Sequence, residues 1–226
     1  MYKRLLIIFS LILALQEAVT AQDPQFSQFY AAPLYLNPAF AGGTGQARAG
    51  LNYRNQWPSI EANFITMSVY GDYFFEDINS GVGMLISRDV EGIAGLRSIS
   101  LALQYSYELS ITDYLGFRPG FQVGVYNRDI NFYKLTFGDQ FNPATGDVIQ
   151  PTQEVLNSQG SKTFVDLSVG GVLFTKNAWL GVAAHHLNQP NQSLIGETSK
   201  LPMKLSFHGG FKFYLKPGVV GSGVYA

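Results

Sequence analysis

Long stretches of this chain alternate apolar and polar residues with a period of two. Between residues 98 and 109, one side of an extended chain would carry only apolar residues: Ile99, Leu101, Leu103, Tyr105, Tyr107 and Leu109. The other side would carry small and polar ones: Ser98, Ser100, Ala102, Gln104, Ser106 and Glu108. Successive side chains of a strand point to opposite faces, whereas a helical period of 3.6 would mix the two sets. This stretch therefore predicts a β-strand with one apolar and one polar face.

The same alternation recurs along most of the chain. Clear strands are predicted around 117–128, 162–174 and 203–214, and weaker ones near 46–57, 62–73, 79–88, 178–187 and from about 219 onward. Several reach about ten residues, the length of a tilted transmembrane strand, whereas soluble strands usually have about five or six. Tyr and Phe recur near strand ends, as in the aromatic girdles of outer-membrane barrels. The fold is therefore predicted to be all-β. A soluble sandwich would also alternate, but the strand lengths and aromatic positions favour a transmembrane antiparallel outer-membrane β-barrel.

The predicted connections differ in length at the two ends of the strands. One set of turns is short, at 76–79, 110–113, 175–177 and 216–218, and most of the opposite set is longer, at 58–61, 89–95, 129–162 and 188–201. Outer-membrane barrels have short periplasmic turns, longer extracellular loops and even strand numbers. Counting gives about 8–9 strands, so we expect a truncated chain that holds part of a larger barrel. A natural barrel that closes with eight strands is the alternative.

The N-terminus has the pattern of an export signal. Lys3 and Arg4 precede an apolar run from Leu5 to Leu15, and small residues precede Gln22. This pattern predicts a cleaved signal peptide at residues 1–21. The run is shorter than the roughly 20 residues of a membrane-spanning helix, which disfavours the alternative of an uncleaved anchor.

Composition excludes several function classes. The absence of cysteine rules out disulfides, thiolate metal sites and a thiol nucleophile. The formal charge of -1, from 15 basic and 16 acidic residues, provides no electrostatic footprint for nucleic acid.

Between the signal and the predicted barrel (residues 46–226) lies the stretch Gln22–Gly45, named here the N-terminal segment. Its three prolines, at positions 24, 33 and 38, exclude a regular helix or a central strand, yet it is rich in Phe and Tyr. We expect it to pack into the barrel lumen as a plug or across the periplasmic mouth. A tether that becomes ordered only in a complex is the alternative. The candidate plug or partner-contact residues are Phe26, Phe29, Tyr30, Tyr35, Asn37 and Pro38.

Three sequence stretches resemble one known family. The run DPQFSQFYAAPLYLNPAFAG (residues 23–42), YRNQW (53–57) and FVDLSVGGVLFTKNAWLGVAAHHLNQP (164–190) are similar to PorP/SprF proteins of the type IX secretion system of Bacteroidota. The resemblance implies a non-catalytic barrel in the outer membrane of a Gram-negative bacterium, which serves protein secretion or gliding motility. The implied partners are type IX components, either a periplasmic peptidoglycan-associated protein or the C-terminal domain of a secreted adhesin. No cofactor is implied.

Polar side chains on the predicted strands are candidates for lining a lumen: Arg118, Gln122, Arg128, Lys204 and Lys212. A polar lumen would also suit the second candidate function, a general porin or small-solute transporter. His185 and His186 are adjacent on a predicted strand, so we expect them on opposite faces, unable to share a metal. Ser206 and His208 share a face with the two lysines, which indicates the lumen and disfavours an enzyme that acts on membrane lipid.

Overall fold

A computed structural model describes residues 26, 28–60, 62–92, 94–153, 160–195, 198–213 and 223–225. This part of the chain is an antiparallel sheet with helical turns of three or four residues. None of the described helices has the length and apolar character required to cross a membrane. The predicted signal peptide, residues 1–21, lies outside the described residues.

The sheet contains ten strand pieces. They are β1 (Arg48–Gln56), β2 (Phe64–Phe75), β3 (Ser80–Glu91), β4 (Leu96–Tyr107), β5 (Leu109–Ser110), β6 (Gly116–Asp129), β7 (Ser161–Phe174), β8 (Ala178–His185), β9 (Lys204–Phe213) and β10 (Gly223–Tyr225). The helical pieces are α1 (Pro33–Leu36) and the 3-10 turns Phe29–Ala31, Pro38–Phe40, Glu76–Ile78, Phe132–Lys134 and Gly138–Gln140.

Each strand pairs antiparallel with the next one along the sheet, in the order β1-β2-β3-β4-β6-β7-β8-β9-β10. The short β5 continues β4 after Glu108, and both pair with β6. The ten pieces therefore lie side by side as nine strands of the sheet. The sheet curls into a half-barrel, and in the described part of the chain β1 and β10 are its ends, unpaired with each other. The prediction of an all-β antiparallel fold of the barrel type is confirmed.

The two faces of the sheet have the composition that the alternation predicted. On the convex face, Leu103 is 61% exposed, and the register places it beside Met84 and Val123 in the neighbouring strands. On the concave face, Gln104 and Ser106 of the same strand are 4% and 0% exposed. The apolar side chains therefore point outward and the polar ones inward, the reverse of a soluble domain.

The connections agree with the predicted turns at most positions. The turns at 76–79 and 175–177 follow β2 and β7 as expected, whereas the predicted turn at 216–218 lies outside the described residues. At the opposite end, the long connections 130–160 and 186–203 are present. The connection predicted at 89–95 is shorter, covering only 92–95, because the pairing of β3 with β4 extends to Glu91 and Leu96.

Candidate functional site

The N-terminal segment lies in the hollow of the half-barrel. Of its described part, Leu34, Asn37, Ala39 and Ala41 are 0% exposed. Proline begins both α1 and the turn Pro38–Phe40, as its fixed φ favours. Asn37 between them is extended, with φ -158° and ψ 125°. The prolines thus divide the segment into short turns, which lets it follow the concave face instead of forming one helix.

Asn37 connects the segment to two strands of the sheet. Its side-chain Nδ2 donates to the carbonyl oxygen of Val182 at 3.0 Å and lies 3.1 Å from Nε2 of His208. Its Oδ1 accepts from the amide of Ala39 at 2.8 Å, capping the turn Pro38–Phe40. One side chain therefore fixes the local turn and also attaches it to β8 and β9.

Glycines on three strands leave the space that this turn occupies. A Cβ built on Gly81 would lie 2.2 Å from the carbonyl oxygen of Ala41, and one on Gly120 would lie 2.3 Å from the amide nitrogen of Ala39. A Cβ on Gly170 would lie 2.0 Å from Oδ1 of Asn37. All three distances are far below contact distance. The concave face is thus shaped for the backbone of the segment at these positions.

Polar side chains of the sheet satisfy the backbone carbonyls of the segment. Gln104 donates to Leu34 at 2.7 Å, and Ser106 donates to Ala41 at 2.7 Å. The ring of His185 lies 3.2 Å from the carbonyl of Leu36. Buried carbonyls need such partners, because the segment has no neighbouring strand of its own. The polar inner face therefore serves to bind a length of irregular backbone.

A buried ion pair lies where the segment joins β1. The carboxylate of Asp72, which is fully buried, accepts from Nε and Nη2 of Arg48 at 2.8 and 2.9 Å. It also accepts from the amide of Gly42 at 2.7 Å, and Arg48 donates to the carbonyl of Phe40 at 3.1 Å. Gly42 has a φ of +65°, which favours glycine. This pair fixes the sharp turn from the segment into the sheet.

Two of the predicted lumen residues are buried in this hollow. Arg118 forms an ion pair with Glu108 and lies over the rings of Phe74 and Phe174, 5.5 and 5.2 Å from their centroids. Gln122 accepts from Gln104 at 2.6 Å. Both face the interior, where they contact other protein groups.

The other three predicted lumen residues are only partly buried. Lys204 lies 5.6 Å from the ring centroid of Tyr35 in the segment. Arg128 hydrogen-bonds to Gln192 of the connection 186–203. Lys212 is half-buried on β9.

The predicted contact residues of the segment are in different environments. Asn37 and Pro38 are fully buried. Phe26 and Tyr35 are half-buried and pack edge to face with ring centroids 5.3 Å apart. Tyr30 is 58% exposed, and the side chain of Phe29 lies outside the described residues. The structure thus places two of these residues inside the hollow, two at its margin and one at the surface.

A polar cavity of about 180 Å³ separates the N-terminal segment from the connection 186–203. It is lined by charged and imidazole side chains from several strands and from the connection: Asp89, Glu91, Arg128, His185, His186 and Lys204. Among the described residues, no three His, Asp or Glu side chains are grouped as a metal site requires. The cavity suits water or a small polar molecule.

The expected arrangement of the two adjacent histidines is wrong. β8 ends at His185, and His186 adopts a left-handed conformation with φ +58°, which turns its ring back toward the interior. His186 contacts Asp166 at 2.8 Å, His185 contacts Ser168 at 3.2 Å, and both rings are buried. The alternation rule failed here because it holds only while the chain remains extended.

Ser206 and His208 lie on the inner face, as their register with the two lysines predicted. His208 is buried between the rings of Phe40 and Trp179, at centroid distances of 5.4 and 5.3 Å. Several residues that hold the segment received no individual role from the sequence: Asp72, Gln104, Ser106, Gly120 and Gly170. Alternation indicated the face of Gln104 and Ser106 but not what they bind.

Comparison with known families gives a match that covers most of the chain. The model of a family described as type IX secretion system membrane protein PorP/SprF matches residues 18–222. The matched range includes the N-terminal segment and every strand from β1 to β9. No curated protein matches the chain.

Proposed function

This chain belongs to the PorP/SprF family of type IX secretion system membrane proteins, and on that premise we propose that it is an anchoring component in the outer membrane. The barrel is the membrane anchor, and its loops and the rim of the N-terminal segment contact other parts of the machinery. The bound partner is a periplasmic peptidoglycan-associated protein or the C-terminal domain of a secreted adhesin. The role requires no catalysis.

The outward apolar face supports the membrane location. The apolar side chains from Ile99 to Leu109 extend about 33 Å along β4 and β5 at about 3.3 Å per residue. A strand tilt of about 40° reduces this to a height of about 25 Å, equal to the apolar band of outer-membrane barrels. In this orientation the short turns are periplasmic and the connections 130–160 and 186–203 are extracellular.

The filled hollow is the observation that favours an anchor over a pore. A porin needs an open polar lumen, whereas here the polar groups of the concave face bind the N-terminal segment through Asn37, Gln104 and Ser106. We propose that the segment is a permanent plug. Its half-buried Phe26 and Tyr35, which lie toward Lys204 at the start of β9, and its exposed Tyr30 then remain available for contact with a partner.

Crosslinking and affinity purification from outer membranes, followed by mass spectrometry, test the anchoring role. We expect type IX components among the captured proteins, and the identity of the partner separates a periplasmic machine part from an adhesin. In planar bilayers the purified protein should conduct little. Strong conductance, together with normal secretion and adhesin display in a deletion strain, would support the porin instead.

Placing a charge in the apolar band tests the membrane location. Leu103→Lys should lower the free energy of unfolding in lipid vesicles by about 2–4 kcal/mol, the cost of lysine near the bilayer midplane. Ile195→Lys is the matched control, because Ile195 is similarly exposed but lies in the connection 186–203. Urea titration followed by heat-modifiability on gels measures both. Equal stability of the two variants would contradict a lipid-facing position for Leu103.

A further inference from the structure

Two arginines lie on the convex face at the end of the apolar band. Arg88 of β3 and Arg97 of β4 are both exposed, on the same face as Met84, Ile86 and Ile99. A cation on a surface that otherwise faces hydrocarbon is costly unless its charge reaches the interface or a counter-ion. Their position therefore requires a physical explanation.

The register makes the two arginines close neighbours. Arg88 is directly opposite Ile99, and Arg97 is directly opposite Val90. The arginines are thus a diagonal pair on adjacent strands, with about 7–8 Å between their backbones, within reach of long side chains. They lie toward the connection 92–95, the end of the sheet that carries the long connections. The two residues are named here the arginine pair.

Within the described residues, one of these two arginines forms an ion pair with a carboxylate of the protein. Asp129 accepts from Nε of Arg97 at 2.8 Å and lies 2.7 Å from Nη2, which holds that guanidinium in place. The side chain of Arg97 is still 50% exposed. Arg88 has no ion-pair partner within the described ranges. The pair therefore presents an uncompensated positive charge at the boundary of the band.

We propose that the arginine pair binds a phosphate group of lipid A, the glycolipid of the outer leaflet. This inference rests on the proposed outer-membrane location, in which the end with the long connections faces outward. Guanidinium groups bind phosphate through paired, charge-assisted hydrogen bonds. The apolar side chains below the pair, among them Ile86 and Leu101, are exposed and suited to contact the acyl chains of the same molecule. Charge and apolar surface together match a phosphorylated lipid better than a free anion.

Binding of fluorescent diphosphoryl lipid A to the purified full chain in uncharged detergent tests the site. We expect the parent protein to prefer this lipid over its dephosphorylated form. Arg88→Gln and Arg97→Gln should each weaken binding about tenfold, as the loss of one charge-assisted hydrogen bond implies. Arg88→Lys keeps the charge but loses the paired hydrogen bonds of the guanidinium, so its affinity should lie between those of the parent protein and Arg88→Gln. The matched control is Lys134→Gln, which removes an exposed charge from the connection 130–160.

Each other outcome would overturn the site. Equal affinity for the phosphorylated and dephosphorylated lipids would exclude phosphate recognition, and an unchanged preference in the double glutamine variant would exclude the arginine pair. Displacement by equimolar inorganic phosphate would indicate a site for the free ion instead. Unchanged heat-modifiability of the variants shows that they are folded. Because this assay uses purified protein, its failure leaves the co-purification test of the anchoring role unaffected.

Discussion

Gly120→Val is expected to release residues 37–41 from the concave face. A Cβ at this position would lie 2.3 Å from the amide nitrogen and 2.5 Å from Cα of Ala39, and no rotation of a side chain relieves a clash with backbone. The segment must move, and the contacts of Asn37 and Ala41 are lost with it. We expect a destabilisation of at least about 3 kcal/mol, the upper range for overpacking. Chymotrypsin, which cleaves after Tyr and Phe, should then cut near Tyr35 and Phe40 in the folded, membrane-embedded protein.

Gly138→Val is the matched control for this substitution. No described atom lies within 4 Å of a Cβ built on Gly138, which is in the connection 130–160. We expect parent-like stability and an uncut segment. If the Gly120 variant remained as resistant to chymotrypsin as the Gly138 variant, the fit between segment and sheet would be looser than the distances indicate.

Asn37→Leu should produce the second-largest decrease in the free energy of unfolding. Leucine has a similar size but makes no hydrogen bonds, so the Ala39 amide, the Val182 carbonyl and the His208 ring each lose a buried partner. At about 1–3 kcal/mol for each unsatisfied buried group, we expect at least about 3 kcal/mol in total. The loss should appear as faster hydrogen exchange of residues 38–42 and a lower midpoint in urea.

Asn131→Leu removes a comparable cap from an exposed position. Asn131 accepts from the amide of Tyr133 at 3.1 Å and caps the turn Phe132–Lys134, but it faces solvent. This change should lower the free energy of unfolding by about 1 kcal/mol or less, because water replaces the lost hydrogen bond. A similar cost at both positions would mean that Asn37 acts only as a local cap and does not hold the segment to β8 and β9.

The strand pattern was predictable from the sequence because it depends on local chemistry. A half-buried strand repeats every two residues, so Leu103 and Gln104 reveal their opposite faces without knowledge of the partner strands. The turn after β7 was equally visible, because polar residues at 175–177 separate two alternating stretches. The connection 92–95 is shorter than predicted, since strand ends depend on how far pairing with the neighbour extends.

The contacts that hold the N-terminal segment were not predictable in the same way. Asn37 contacts residues more than a hundred positions away, and nothing in its local sequence identifies them. Gly120 and Gly170 resemble any other strand glycine until the segment is placed against them. His186 deviates because a single left-handed residue reverses its direction. Composition indicated that the segment packs against the rest of the protein. Which residues it contacts is seen only in the three-dimensional structure.

The contact between Asn37 and His208 joins residues 171 positions apart, which has a consequence for the order of assembly. The segment precedes every strand in the sequence and is therefore synthesised before them. Its binding surface is nevertheless incomplete until β8 and β9 have paired. Docking must therefore follow nearly all of the sheet, and closing so large a loop is among the slowest kinds of step in folding. The segment therefore precedes the strands in the sequence but reaches its place after them, and its burial marks a sheet that has paired as far as β9.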